Sequence, residues 1–152
     1  MSIANKIRTL CFQLKASMSG NDDFLHKVGI IETEFKLCDS SSEDIDDSRR
    51  AQLNRVLHST RAFDSGLRLF LEKHGRLSNN PHSIGEYINE LQRSGLQDFR
   101  QLSGMDATNI NKLITNERNK YMHAAGQFPS KAQADVIVGN ILGYYQRILG
   151  LE

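Results

Sequence analysis

Residues 45–75 read IDDSRRAQLNRVLHSTRAFDSGLRLFLEKHG, and this stretch decides the fold class. Its apolar side chains Ile45, Leu53, Val56, Leu57, Phe63, Leu67, Phe70 and Leu71 recur at intervals that place them on one face of a helix. No run in it alternates with the period of two that a half-buried strand requires. It contains no proline, and His74-Gly75 supplies a C-terminal stop. Gly66 stands inside the pattern, where a bend or break is expected.

The helical period continues on both sides. Towards the N-terminus, Ile3, Ile7, Leu10, Cys11, Leu14 and Met18 form one stripe that Gly20 stops. Phe24, Val28, Ile31, Phe35 and Cys38 form the next, with Asn21 or Asp22 as its N-cap. Between Asp39 and Asp47 the chain is rich in Ser and acid, which reads as a loop entering the acidic first turn of the long helix. Towards the C-terminus, a loop from Gly75 to His82 is centred on Asn79-Asn80-Pro81. Ser83-Ile84-Gly85-Glu86 then has the form of a capping box, with Ile84, Tyr87, Ile88 and Leu91 inward. Gly95 stops that helix, and Leu96, Phe99 and Leu102 suggest a further short turn. Asp106 is expected to cap a helix running to about Ala125, with Ile110, Leu113, Ile114 and Tyr121 on its apolar side and Gly126 at its end. A second capping box, Ser130 to Gln133, opens a last helix through Leu149. The expectation is an all-α fold, a compact bundle of about five main helices forming one domain over residues 1–152.

Composition agrees and narrows the function. A chain of 152 residues with 39% hydrophobic content supports one core and is neither membrane-embedded nor disordered. Nineteen Lys and Arg against eighteen Asp and Glu give a charge of +1, which does not suit broad, sequence-independent capture of nucleic acid. Cys11 and Cys38 occupy apolar helical positions without metal-ligand spacing, so buried free thiols in a reducing compartment are expected. Lys6, Arg8 and Lys15 interrupt any signal-peptide hydrophobic region, and no apolar run approaches the ~20 residues of a membrane span, so a cytoplasmic address is expected. There is no phosphate-cradling Gly-rich loop, no Cys-x-x-Cys, no His-Glu-x-x-His and no nucleophile-elbow serine. The acidic run Glu43, Asp44, Asp46, Asp47 lacks the Gly and terminal Glu of a calcium loop and reads as a solvated helix start; no metal or cofactor is expected.

The segment that carries chemistry is Glu117-Arg118-Asn119-Lys120-Tyr121-Met122-His123. On a regular helix Asn119 and His123, four residues apart, share a face, with Arg118 flanking the apolar stripe. A guanidinium grips a phosphate through parallel hydrogen bonds and stabilises charge on a pentacoordinate transition state. An imidazole titrates near neutrality and exchanges protons with a 2′-hydroxyl or a 5′-oxygen leaving group. Asn119 would fix the ring or the substrate, and Glu117 or Lys120 would tune the site or contact substrate.

The stretch resembles the Arg-x4-6-His signature of HEPN domains, all-α modules in which Asn or another polar residue often follows the Arg. Arg118-Asn119 and His123 match it, in a helix next to the last. The resemblance covers about ten residues by motif and most of the chain by architecture. It implies a metal-independent endoribonuclease of toxin or anti-phage defence type. It further implies a homodimer whose two motifs line one cleft, an RNA substrate, a cognate antitoxin or inhibitor, and no membrane partner. The alternative is a non-catalytic module of the same fold that binds a nucleotide, an RNA or a protein. Where one toxin subgroup of the family has a modifiable Tyr two positions after the His, this chain has Ala125. The family also often places an acidic residue on an earlier helix to orient the Arg, and Glu32, Glu34 and Asp64 are the candidates.

Two further expectations concern the remaining charged groups. Between Arg49 and Arg76 there are seven basic residues and two acidic ones, expected to cover the solvent side of the long helix rather than to face a cleft. His26, His58, His74 and His82 have no partners at convincing spacing and are expected to be structural or surface residues.

Overall fold

The helices begin where side-chain oxygens meet the orphan N–H groups of a first turn. In the computed structural model, which describes residues 2–41, 48–77, 83–93 and 100–149, Ser2 caps α1 (Ile3–Ser17) by accepting the Asn5 N–H. Of the two candidates for α2 (Asp22–Ser41), Asn21 is the cap, its Oδ1 accepting the Phe24 N–H at 3.2 Å. The capping box at α4 (Ile84–Arg93) forms in both directions between Ser83 and Glu86. So does the box at α7 (Lys131–Ile148), between Ser130 and Gln133.

The long helix α3 (Ser48–Lys73) runs through Gly66 and is not split there. The glycine serves a neighbour instead. Tyr145 of α7 is fully buried, and its hydroxyl donates to the Ala62 carbonyl one turn before Gly66. A side chain at position 66 would occupy the place of that hydroxyl. The Tyr145 ring also meets Phe35 of α2 and Phe63 of α3 edge-on, at centroid distances of 5.9 and 5.3 Å. Three helices therefore close on one aromatic ring.

α3 is the hub of the bundle, packed against α2 along much of its length and against α7, α4 and residues 116–122. The expected inward residues of α1, α2, α4 and α7 enter one contiguous core, while Leu53 and Leu57 of α3 are only half-buried. All described secondary structure is helical, and among the described residues no helix is long and apolar enough to cross a membrane. Cys11 and Cys38 are free, and burial pushes both thiols up to about 11. The acidic run and Ile45, as well as Asn79-Asn80-Pro81, His82, Gly95, Leu96 and Phe99, lie outside the described residues.

The expected helix from Asp106 to Ala125 differs in three ways. It starts earlier, at α5 (Gly104–Ile110), with Ser103 as N-cap and Asp106 three positions in. The carboxylate of Asp106 reaches back to the Ser103 N–H at 2.8 Å and hydroxyl at 2.9 Å, closing a capping box that an Asp106 cap could not form. Five residues, Asn111–Thr115, then form a π-helical turn before α6 (Asn116–Met122). The helix ends one turn sooner, with His123 as C-cap and Gly126 at φ 82°, a left-handed conformation that glycine adopts without steric cost.

The basic face of α3 is not all solvated either. Arg55 is 3% exposed, ion-paired with Asp135 of α7 at 2.6 Å and bonded to Gln52 at 2.8 Å. A buried charge needs such partners, and here they tie α3 to α7.

Candidate anion-binding cleft

A cavity of about 610 Å³ opens between α3, the start of α4, the π turn and α6. Its walls are mostly polar. α3 contributes Thr60, Arg61, Asp64 and Ser65, one helical face presented at spacings of three and four. The π turn and α6 contribute Asn111, Thr115, Arg118 and Asn119, while Ser83, Ile84 and Gly85 close the third side.

The π turn bears directly on this arrangement. Its i→i−5 bond, from the Asn116 N–H to the Asn111 carbonyl, places one extra residue in a turn. One extra residue rotates everything after it by roughly 100° relative to a regular helix. Asn111, Thr115, Arg118 and Asn119 line one wall, while Ile110 and Ile114 are in the core. Regular geometry grouped Asn119 with His123. In the structure Asn119 lines the cavity with Arg118, and His123 is exposed at the end of α6 and not among the cavity residues.

Arg118 is half-buried, with one Nη donating to Asn119 Oδ1 at 3.3 Å. Its Nε is buried with no hydrogen-bond partner among the described residues. A buried donor left unpaired costs about 1–3 kcal/mol. Of the three candidate acids, Asp64 is the one beside Arg118. Burial raises the Asp64 carboxyl above its usual range, and the positive charges of Arg118 and Arg68 pull it back only in part. Glu32 instead accepts Lys15 of α1 at 2.5 Å and Lys36 of α2 at 3.3 Å. Glu34 accepts His58 at 2.7 Å and Arg61 at 3.0 Å, both on α3.

Glu117 and Lys120 pair with each other at 2.5 Å, and neither lines the cavity. Arg61, Ser65, Asn111 and Thr115 were not singled out from the sequence as site residues. The i, i+3, i+4 set Arg61, Asp64, Ser65 is a polar face legible in principle, and Asn111 and Thr115 recur with Arg118 at i, i+4, i+7. Of the histidines, His26 is exposed and His74 half-buried, while His58 is half-buried with the Glu34 partner that spacing does not reveal. Among the described residues no group of three or more His, Cys, Asp or Glu is arranged to hold a metal ion. Comparison with protein-family models, curated proteins and solved structures finds no match to this chain.

Proposed function

We propose that this chain is a metal-independent endoribonuclease of the HEPN type, acting on single-stranded RNA as a homodimer in a toxin or defence setting within the cytoplasm. One observation carries the reading: the Arg118 guanidinium, with an unpaired buried Nε, forms a wall of a polar cavity beside Asp64 and Asn119. Arg118 binds the scissile phosphate and stabilises its transition state, with Asn119 and Asp64 holding the guanidinium in place. The 2′-oxygen attacks phosphorus and the bond to the 5′-oxygen breaks, leaving a 2′,3′-cyclic phosphate and a 5′-hydroxyl. One His123 accepts the 2′-hydroxyl proton, and a second gives a proton to the departing oxygen. A two-fold axis supplies that second imidazole, and the exposure of His123 leaves it accessible to a partner copy. A cognate antitoxin or inhibitor would act by covering this face.

Cleavage of labelled RNA in EDTA by wild type, His123→Ala and Arg118→Ala tests the proposal. Wild type yields cyclic-phosphate products, and each variant loses ~10²–10⁴-fold in rate while its fold stays intact. Equal activity in wild type and His123→Ala overturns it. A second reading, a non-catalytic RNA- or nucleotide-binding module, is favoured by the position of His123 outside the cavity lining. It predicts RNA binding that needs Arg118, is indifferent to His123, and releases no product.

A further inference from the structure

Arg61 stands out among the cations of α3 because it is both exposed and anchored. Its side chain is 59% exposed, yet one Nη is held at 3.0 Å by Glu34, a buried carboxylate of α2. Glu34 is fixed in turn by His58 Nδ1 at 2.7 Å on its other oxygen. This ion pair engages one Nη of a guanidinium that carries five N–H donors over three nitrogens. Rotamer entropy normally scatters an exposed arginine, and the tether removes part of that cost before any ligand arrives.

Arg61 lines the same cavity as Arg118, from a different helix. Among the described residues Asp64 is the only carboxylate in the lining, which also holds two guanidinium groups. At about 610 Å³ the cavity has the size of a site for a whole small ligand, larger than one phosphate group fills. We infer that Arg61, positioned by Glu34, is a second phosphate contact, so that the cleft engages two phosphates of one RNA strand and not a single isolated phosphate. This rests on the ribonuclease reading of the cleft but adds a residue and a ligand class to it. Glu34 thus acts as a positioning residue for Arg61, a different role from the support of Arg118 for which it was one of three candidates.

The test is fluorescence anisotropy with a labelled 12-nucleotide 2′-O-methyl RNA, which lacks the attacking hydroxyl, over 50–250 mM KCl. Each phosphate contact to a single strand contributes about 0.7 to the slope of log affinity against log salt. Arg61→Ala is expected to reduce the slope by about that amount, and Arg61→Lys to restore it. Arg93→Ala, at the far end of α4, should leave it unchanged. Glu34→Gln keeps the Arg61 charge, so the slope stays while affinity falls severalfold. A Glu34 that serves only the fold would lower thermal stability and leave affinity alone. A wild-type slope in Arg61→Ala, with a reduced one in Arg118→Ala, overturns the second contact and spares the ribonuclease reading. If wild type binds no RNA, or neither arginine affects the slope, the reading of the cleft fails and the second contact with it.

Discussion

Replacing Gly66 by Ala tests how the bundle is locked. In an exposed helix interior this change stabilises by about 1 kcal/mol, because alanine restricts the unfolded chain and favours the helix. Here the new methyl would overlap the Tyr145 hydroxyl and lie 2.6 Å from ring atom Cε1, about 1 Å inside ordinary carbon contact. Tyr145 cannot step aside at low cost, being fully buried between Phe35 and Phe63 and bonded to the Ala62 carbonyl. Overpacking a core costs about 1–3 kcal/mol, and the lost hydroxyl bond and edge-on ring contacts add about 2 more. After subtracting the helix gain, Gly66→Ala should destabilise by about 2–4 kcal/mol. For a chain of this size that lowers Tm by about 5–15 °C. Urea and thermal melts followed by circular dichroism measure both quantities. The same substitution in a Tyr145→Leu background should be neutral or mildly stabilising, since the obstacle is gone. A Tm that holds or rises in Gly66→Ala alone would falsify this account of the α3–α7 contact.

Three other substitutions separate function from stability. Asp64→Asn should raise Tm at neutral pH while weakening RNA binding, because burial disfavours the Asp64 carboxylate that the cleft retains beside Arg118. With its folded pKa raised, wild type loses stability as pH climbs from the unfolded value near 4 towards the folded one. The gap between variant and wild type should therefore open above about pH 4 and close below it in pH-dependent melts; a gap that persists at pH 3 refutes the cause. Asp135→Asn leaves the Arg55 guanidinium buried with its Gln52 bond on α3 and should cost about 2–3 kcal/mol, at or just below the low end for a broken buried pair because Asp135 is a third exposed. Lys131→Ala, which removes an exposed partner of the same carboxylate, should be near neutral in the same urea titration.

The helical character of this chain follows from local rules. A period of 3.6 residues, few prolines and Ser-x-x-Glu or Ser-x-x-Gln at helix starts act over one or two turns, so α4 and α7 are legible with their caps and inward faces, and α1 with its inward face. Arg118 and Asn119 were legible as a polar pair for the same reason. The rest depends on which faces meet. Gly66 read locally as a break, and only the arrival of Tyr145 from 79 positions away turns it into a contact. The spacing of Glu32, Glu34 and Asp64 could not rank them beside Arg118, because charge partners are chosen by packing between helices. Asn119 and His123 keep the one-turn relation that regular helix geometry implies, the His123 N–H bonding the Asn119 carbonyl, but the cavity reaches only as far as Asn119 and leaves His123 at the exposed end of α6. The sequence by itself therefore determined the helices and the chemistry at their surfaces, since both are set by neighbours within a turn. Tertiary structure alone decided which of those surfaces share a cavity, because that is settled by contacts between residues tens of positions apart.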